Sequence, residues 1–236
     1  MASKNRGPQR GGKNNEPDPV TRWIVIGMVS LVVIIGAVFT VVSNKSSASV
    51  ALPPGASKED GYGIVFNPDA TSTINIWEDF QCPSCKRFEG INGPKIYSLI
   101  DQGKTKVVFH TLSFLGDESV VAGMGAGCAA DQGRFLDYKN FMYTNQQEEH
   151  SGTWTKPYVI SMAGQIGLDE TKFAACLNTD KYRKWLTNSA AAGGDANING
   201  TPTVVINGTI MESDPQGVNY YSAEGFTAQL AKFGIK

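Results

Sequence analysis

Two cysteines separated by two residues, Cys82-Pro83-Ser84-Cys85, set the tightest limit on how this chain can fold. They follow a strand-like stretch and open a helix-like one, and this spacing on a helical turn brings both sulfurs within bonding reach. Unpaired N–H groups and the macrodipole at a helix N-terminus favour a thiolate on the first cysteine, and proline suits the first turn. We therefore predict that Cys82 is an exposed nucleophile of low pKa. Cys85 is predicted to be a more buried thiol that forms a redox-active disulfide with it.

Two other roles for this cysteine pair are disfavoured. A zinc site needs about four ligands, and besides the pair the chain offers only His110, His150 and two distant cysteines. We therefore expect no metal and no other cofactor. A purely structural disulfide is disfavoured because so short a loop removes little chain entropy. The sequence thus favours a catalytic role for both cysteines of the pair.

The other two cysteines, Cys128 and Cys176, lie in a stretch with helical patterns. The cysteine count is even, and free thiols are liabilities in an oxidising compartment. We predict a structural disulfide between them, to which the chain-entropy model gives roughly 4 kcal/mol. The alternative is two buried thiols that pack as small apolar side chains.

An uncharged, apolar run at residues 23–42 divides the chain. A helix of ~20 apolar residues matches the hydrocarbon thickness of a membrane. We predict a transmembrane helix there, preceded by a disordered basic tail at 1–22 and followed by a linker at 43–60. Basic residues precede the run, so the positive-inside rule puts the tail in the cytoplasm and the folded domain, 61–236, outside the cell membrane. The alternative is a long signal peptide cleaved after Ser49-Val50-Ala51.

The order of the predicted elements indicates the fold class. A helix follows Cys82, with Gly90 and Pro94 suggesting a kink or break inside it. The dipeptide Asn207-Gly208 is a strong hairpin signal. The remaining elements are strands at 73–79, 106–111, 203–206 and 209–211, a helical block at about 117–196, and a last helix at 223–233. This order predicts an α/β protein in which a small mixed sheet carries a helical insertion.

Two segments carry a resemblance to a known family. The sequence Trp77-Glu-Asp-Phe-Gln-Cys-Pro-Ser-Cys85 resembles the active-site segment of the DsbA-like proteins of the thioredoxin superfamily, especially their bacterial membrane-anchored members. Gly200-Thr201-Pro202-Thr203 resembles the cis-proline loop of that family. The resemblance implies a thioredoxin-like fold, a cis bond before Pro202, and a Thr201 backbone that pairs with an extended substrate segment. The alternative is an ordinary proline that begins a strand.

The chain departs from the family pattern at one position. Related proteins often place a buried carboxylate six residues before the first active-site cysteine, and here that residue is Ile76. Glu78 and Asp79 are near in sequence, but we expect both to be solvated at a strand end. The proton acceptor for Cys85 therefore stays open, and we assign no role to His110.

The resemblance implies a thiol–disulfide oxidoreductase, and we favour a dithiol oxidase that introduces disulfides into exported proteins. Its partners would be exported proteins with reduced cysteines and, for recycling, a membrane quinone-linked thiol oxidase. The net charge of -1 gives no reason to expect nucleic acid. A reductase or isomerase of the same fold is an alternative, because Pro83-Ser84 does not determine the redox potential. A non-catalytic interaction domain is another, although it would not need both cysteines.

Overall fold

A computed structural model describes residues 50–212, 214 and 217–236 and, nearer the N-terminus, residues 20, 23, 24 and 26–35. The chain divides into two compact units, Met1–Ser49 and Val50–Lys236. Residues 26–35 are helical and exposed. No helix in the described part of the chain is long and apolar enough to span a membrane. The predicted tail at 1–22, apart from residue 20, and residues 25 and 36–42 of the predicted helix at 23–42 lie outside the described residues.

A mixed sheet forms the centre of the second unit. Its strands are β1 (Ile64–Phe66), β2 (Ser72–Asp79), β3 (Thr105–Leu112), β4 (Thr203–Ile206) and β5 (Thr209–Ile210). They lie in the order β1-β3-β2-β4-β5, with β2 parallel to β3 and the other neighbours antiparallel. The side chains of Ile74, Ile76, Val107 and Phe109 are almost fully buried, so β2 and β3 lie at the core. The predicted mixed α/β sheet is confirmed.

The turn between β4 and β5 has the geometry that its sequence predicts. Asn207 and Gly208 both adopt positive φ angles, 48° and 81°, as a type I′ hairpin requires. The Asn207 side chain accepts a hydrogen bond from the Thr73 N–H at 2.8 Å, and the Asn207 N–H donates to the Thr73 carbonyl at 2.9 Å. The hairpin is therefore tied to the start of β2, in a register that pairs Thr203 with Trp77 near the end of that strand.

Helix α1 (Pro83–Gln102) follows β2. It continues past Gly90 and Pro94, so the predicted kink or break does not interrupt it. Pro94 lacks the N–H that would bond the Gly90 carbonyl. Gly90 is exposed, so water can satisfy that carbonyl and the missing bond costs little.

Helices between β3 and β4 build the insertion. They are α2 (Asp117–Ala130), α3 (Phe135–Thr144), α4 (Lys156–Ala163), a 3-10 turn (Gly164–Ile166), α5 (Glu170–Asn178) and α6 (Arg183–Asp195). Helix α2 is buried over most of its length because its glycines admit neighbouring rings. Gly125 lies against Tyr138 and Gly127 against Tyr182, with no room for a Cβ at either position. After β5, helices α7 (Val218–Tyr221) and α8 (Ala223–Lys232) complete the fold.

A disulfide joins Cys128 of α2 to Cys176 of α5, with a sulfur–sulfur distance of 2.05 Å. These are the partners that the sequence predicts. The bond links residues 48 apart in sequence, which restricts the unfolded chain and stabilises the fold by roughly 4 kcal/mol in the chain-entropy model. It holds two helices of the insertion together.

The folded unit begins earlier than predicted. Val50, Leu52 and Ala56 pack, partly buried, against the core, and Ala56 forms a β-bridge with Ile64. The predicted linker is therefore wrong from Val50 onward. Strand β1 is not predicted from the sequence, because three residues are too few to show an alternating pattern.

Candidate active site

The Cys82–Cys85 pair lies where the chain leaves the sheet and enters a helix. Strand β2 ends at Asp79, whose carbonyl accepts a hydrogen bond from the Cys82 N–H at 3.0 Å. Cys82 is the N-cap of α1, and its carbonyl accepts from the N–H groups of Cys85 (3.0 Å) and Lys86 (3.2 Å). Pro83 occupies the first turn, where no hydrogen bond requires its N–H. Both cysteines are thiols in this structure.

Cys82 has the pKa of a reactive cysteine. Its thiol pKa falls from the ordinary value of 9.0 to about 6. The largest cause is the hydrogen bond from the Cys85 thiol, and the Thr201 side chain and the N–H groups of Cys85 and Ser84 act in the same direction, against burial. The prediction that Cys82 is exposed is wrong, since only 8% of its surface is exposed. Its low pKa therefore comes from hydrogen bonds to the thiolate and not from contact with solvent.

Cys85 has the opposite character. It is fully buried, and burial raises its pKa well above 9.0, helped by the hydrogen bond to Cys82 and by the charge of Glu78. At neutral pH the Cys85 thiol thus keeps its proton and stabilises the Cys82 thiolate. The two cysteines differ in pKa in the direction that the sequence predicts.

We expect iodoacetamide to label Cys82 of the reduced protein far faster than Cys85. The labelling rate should rise with pH through a midpoint of about 6, because the thiolate is the species that reacts. Mass spectrometric peptide mapping after timed quenching measures both rates. In the denatured control both cysteines should titrate near the free-thiol value of roughly 8.5. The same ordinary midpoint in the folded protein would contradict this description of the site.

The loop before β4 brings Thr201 and Pro202 beside the cysteines. The peptide bond between these two residues is cis, and the Thr201 carbonyl oxygen lies 3.4 Å from the Cys82 sulfur. The Thr201 side chain also lowers the pKa of both thiols. The loop therefore occupies the position that the resemblance implies.

A cavity of about 570 Å³ opens beside this loop. Its walls include Thr201, Pro202, Met211, Tyr220 and Tyr221. The cavity therefore borders the loop whose Thr201 carbonyl contacts the Cys82 sulfur.

A buried charge cluster lies next to the cysteines in the structure. Glu78 and Asp79, predicted to be solvated, are 4% and 0% exposed, so that prediction is wrong for both. Lys139 of α3 pairs with Glu78 at 2.9 Å and with Glu89 of α1 at 2.6 Å. The Lys139 ammonium also lies 4.6 Å from the centre of the Phe109 ring, a favourable cation–π contact. A cation from the insertion thereby joins β2 to α1.

The charges of this cluster do not balance, because the ammonium faces two carboxyl groups. Burial lowers the pKa of Lys139, but the attraction of Glu78 and Glu89 outweighs burial and raises it, so Lys139 stays charged. Burial and the charge of Glu89 raise the pKa of Glu78 well above 4.5. Since the Glu78 charge also raises the pKa of Cys85, the proton of Glu78 and the proton of Cys85 are coupled.

Asp79 organises the turn before Cys82. Its carboxylate accepts hydrogen bonds from the Ser119 hydroxyl (2.5 Å), the Gln81 N–H (2.9 Å) and the Leu115 N–H (3.3 Å). The Gln81 side chain donates to the Leu115 carbonyl at 3.0 Å and to the Ser119 hydroxyl at 2.9 Å. These bonds join the end of β2, the turn that carries Cys82 and the start of α2.

Gln146, between α3 and α4, is a site residue that the sequence does not predict. Its side-chain amide donates to the carbonyls of Phe80 (2.7 Å) and Cys82 (3.1 Å). The Lys86 ammonium donates in turn to the Gln146 carbonyl at 3.4 Å. The insertion therefore closes over the cysteine turn, which explains why Cys82 is more buried than predicted. No local sequence pattern predicts these amide contacts, because they join residues 66 and 64 positions apart.

His110 belongs to the sheet and not to the cysteine site. Its ring stacks on Trp77 with centroids 3.5 Å apart, and its Nε2 lies 3.0 Å from the Asn75 side-chain oxygen. Burial lowers its pKa to about 4, so the ring is neutral at physiological pH. We assign it a packing role, in line with the sequence prediction.

Comparisons with known proteins agree with the fold described above. A family model described as thioredoxin matches residues 61–221. Disulfide bond formation protein D of Bacillus subtilis (strain 168) is 24% identical over 179 residues, covering 72% of this chain and 79% of that protein.

Solved structures share the fold at low identity. BdbD from Bacillus subtilis matches with a TM-score of 0.64 and 21% identity, over 78% of this chain and 98% of that one. MdbA, a thiol-disulfide oxidoreductase from Actinomyces oris, matches with a TM-score of 0.66 and 19% identity, over 79% and 91%. These matches confirm the thioredoxin-like fold that the resemblance implies.

Proposed function

The chain belongs to the thioredoxin family, and from that premise we propose that it is a thiol–disulfide oxidoreductase that oxidises exported proteins at a cell membrane. The observation that carries the proposal is the difference between two buried thiols, with the pKa of Cys82 lowered to about 6 and that of Cys85 raised well above 9.0. A stabilised thiolate favours the reduced enzyme, so the oxidised enzyme tends to give its disulfide away. This difference supports an oxidase.

The reaction proceeds by two thiol–disulfide exchanges. A substrate thiolate attacks the Cys82 sulfur of the oxidised enzyme, the Cys82–Cys85 bond breaks, and Cys85 leaves with the electron pair. A second substrate thiolate then attacks the substrate sulfur of the mixed disulfide and releases Cys82 as a thiolate. Two electrons pass from the substrate dithiol to the enzyme, which ends with two reduced cysteines.

Glu78 is our candidate for the group that exchanges a proton with Cys85. Cys85 leaves as a thiolate in a buried place where the charged form is disfavoured, so it needs a proton at once. Glu78 has a raised pKa and its charge acts on Cys85, so a protonated Glu78 can donate when the disulfide opens. The same group takes the proton back when the enzyme is reoxidised.

Thr201 and Pro202 form the proposed substrate-binding loop. The Thr201 carbonyl lies 3.4 Å from the Cys82 sulfur, so a substrate segment paired with that backbone would present its cysteine to Cys82. Pro202 has no backbone N–H and so cannot donate a hydrogen bond to a neighbouring strand. We propose that the Thr201 backbone beside it pairs with the substrate instead.

We expect the redox potential of the Cys82–Cys85 couple to lie above about −200 mV, nearer the DsbA value of roughly −120 mV than the thioredoxin value of roughly −270 mV. The reason is the stabilised Cys82 thiolate of the reduced form. Equilibration with glutathione buffers, acid quenching and mass spectrometry give the potential, and the Cys128–Cys176 disulfide in the same samples serves as an internal control. A value near −270 mV would favour the reductase alternative instead.

The proposed membrane anchor rests on the uncharged run at 23–42 and on the basic residues before it. We expect a reporter that is active only outside the cytoplasm to be active when fused after Lys236. The control fusion after Arg22, which lacks the apolar run, should be inactive. An inactive Lys236 fusion, at normal expression, would argue against the proposed orientation.

The proposed partners follow from this chemistry. Exported proteins with reduced cysteines are the substrates, and the reduced enzyme must pass two electrons on, for which the resemblance implies a membrane quinone-linked thiol oxidase. A non-catalytic interaction domain is the second candidate function, but the opposite pKa shifts of Cys82 and Cys85 have no use in such a domain.

A further inference from the structure

A second cavity, of about 250 Å³, reaches the Thr201–Pro202 loop from the residues that precede it. Its walls include Leu112, Phe114, Ile198 and Gly200, and we call it the Phe114 cavity. None of the described residues that line it carries a charge. Gly200 also lines the larger cavity beside the loop, so both cavities border the loop that we propose to bind the substrate backbone.

Phe114 is an exposed aromatic residue on a braced loop. Its surface is 56% exposed, although burying such a ring is worth about 1.5–3 kcal/mol. The loop is held by the Leu115 N–H, which donates to Asp79 at 3.3 Å, and by the Gln81 amide, which donates to the Leu115 carbonyl at 3.0 Å. The bonds that shape the cysteine turn therefore also hold the backbone next to the exposed ring.

We propose that the Phe114 cavity binds an apolar side chain of the substrate polypeptide, close in sequence to the cysteine that attacks Cys82. This inference rests on the proposed function and names the substrate class for that site. A substrate segment paired with Thr201 must pass Gly200, and there one of its side chains reaches the Phe114 cavity. Packing this side chain against Phe114, which is 56% exposed, removes apolar surface of both groups from water.

The size and charge of the cavity select this occupant. A drug-sized ligand needs a pocket of roughly 300–1,000 Å³, and this cavity is smaller at about 250 Å³, so it suits one side chain. Its uncharged walls cannot pair a carboxylate or an ammonium, and burying an unpaired charge is costly. The cavity therefore favours leucine-like side chains and rejects aspartate-like ones.

The test uses the full-length Cys85→Ser chain with Cys82 loaded as a mixed disulfide with thionitrobenzoate. The thiolate of a single-cysteine peptide attacks the Cys82 sulfur, the bond to thionitrobenzoate breaks, and the coloured thiolate is released, with one disulfide replacing another. The peptides carry Leu, Asn or Asp at each of the two positions on either side of the cysteine. At one of these positions we expect Leu to react at least about tenfold faster than Asn or Asp.

Two variants in the loaded chain remove this preference in different ways. Phe114→Ala should slow the Leu peptide to the rate of the Asn peptide. Gly194→Leu should fill the cavity with the same result, because Gly194 lines it and a Cβ there meets nothing within 4 Å. Gly90→Leu is the matched control, since Gly90 is also helical with open space at its Cβ, and it should keep the preference.

The outcomes separate this inference from the proposed function. If mercaptoethanol does not displace thionitrobenzoate from Cys82, the proposed function fails. Normal reaction with mercaptoethanol but no Leu preference at any position overturns the Phe114 cavity as a subsite. A Leu preference that survives both Phe114→Ala and Gly194→Leu but is lost in Ile210→Ala would assign recognition to the larger cavity, which Ile210 lines, and would also overturn it.

Discussion

Replacing Cys85 with serine is expected to make the protein accumulate covalent complexes with exported proteins. The variant keeps the Cys82 thiolate, which can attack a disulfide of an exported protein and release one of its sulfurs as a thiolate. It lacks the Cys85 thiol that would break the resulting mixed disulfide. The complexes should appear on non-reducing gels, disappear on reduction, and map to Cys82 by mass spectrometry. Cys82→Ser should form few or none, because Cys85 is fully buried and protonated.

The same pair of variants tests catalysis. Cys82→Ser should lose oxidase activity toward a reduced substrate protein by on the order of a thousandfold or more, since it cannot form the Cys82–Cys85 disulfide that the substrate thiolate attacks. The variant in which both Cys82 and Cys85 are serine controls for non-covalent capture and should give no reducible complexes. A Cys82→Ser protein that still oxidises its substrate would remove the catalytic interpretation and leave the interaction-domain alternative.

Replacing Lys139 with methionine is expected to lower the free energy of unfolding by roughly 3–5 kcal/mol, the usual cost of breaking a buried ion pair from one side. Lys139 is nearly inaccessible and pairs with both Glu78 and Glu89. Its removal leaves two buried carboxyl groups without a cation. Denaturant titration followed by tryptophan fluorescence measures the loss.

Removing a carboxyl group should relieve part of this loss. Adding Glu78→Gln to Lys139→Met leaves Glu89 as the remaining acid of the cluster, so stability should rise relative to Lys139→Met alone. Glu78→Gln by itself should change the pH dependence of stability. The folded protein holds the Glu78 proton more tightly than the unfolded chain, so stability falls as the pH rises from 4.5 through the raised pKa. The glutamine variant should lack this decline.

An exposed ion pair provides the control. Lys172 pairs with Asp169 at 3.3 Å, but its side chain is 77% exposed, and such pairs contribute little to stability. Lys172→Met should therefore unfold close to the wild-type midpoint. If Lys139→Met is tolerated equally well, Lys139 does not neutralise buried carboxylates, and the coupling between Glu78 and Cys85 loses its support.

The features that could be predicted depend on residues close in sequence. The helical turn that joins Cys82 and Cys85 requires only their spacing and the proline between them. The hairpin at Asn207-Gly208 requires only two residues that tolerate positive φ. Such signals are local because turn and capping geometry involve a few consecutive residues, whatever packs around them. The pairing of Cys128 with Cys176 is a special case, since an even cysteine count leaves each a single remaining partner.

The features that could not be predicted are contacts between distant segments. Glu78 lies at the end of a strand, where an acid is normally solvated. It is buried because Lys139 of the insertion pairs with it. Gln146 covers Cys82 across 64 residues of sequence, and no propensity of either residue encodes that contact. The sequence therefore identifies the reactive pair and its helix, whereas long-range packing establishes how buried the pair is and which charges reach Cys85. The reason is that desolvation and charge pairing depend on what surrounds a group in space, and local sequence does not contain that information.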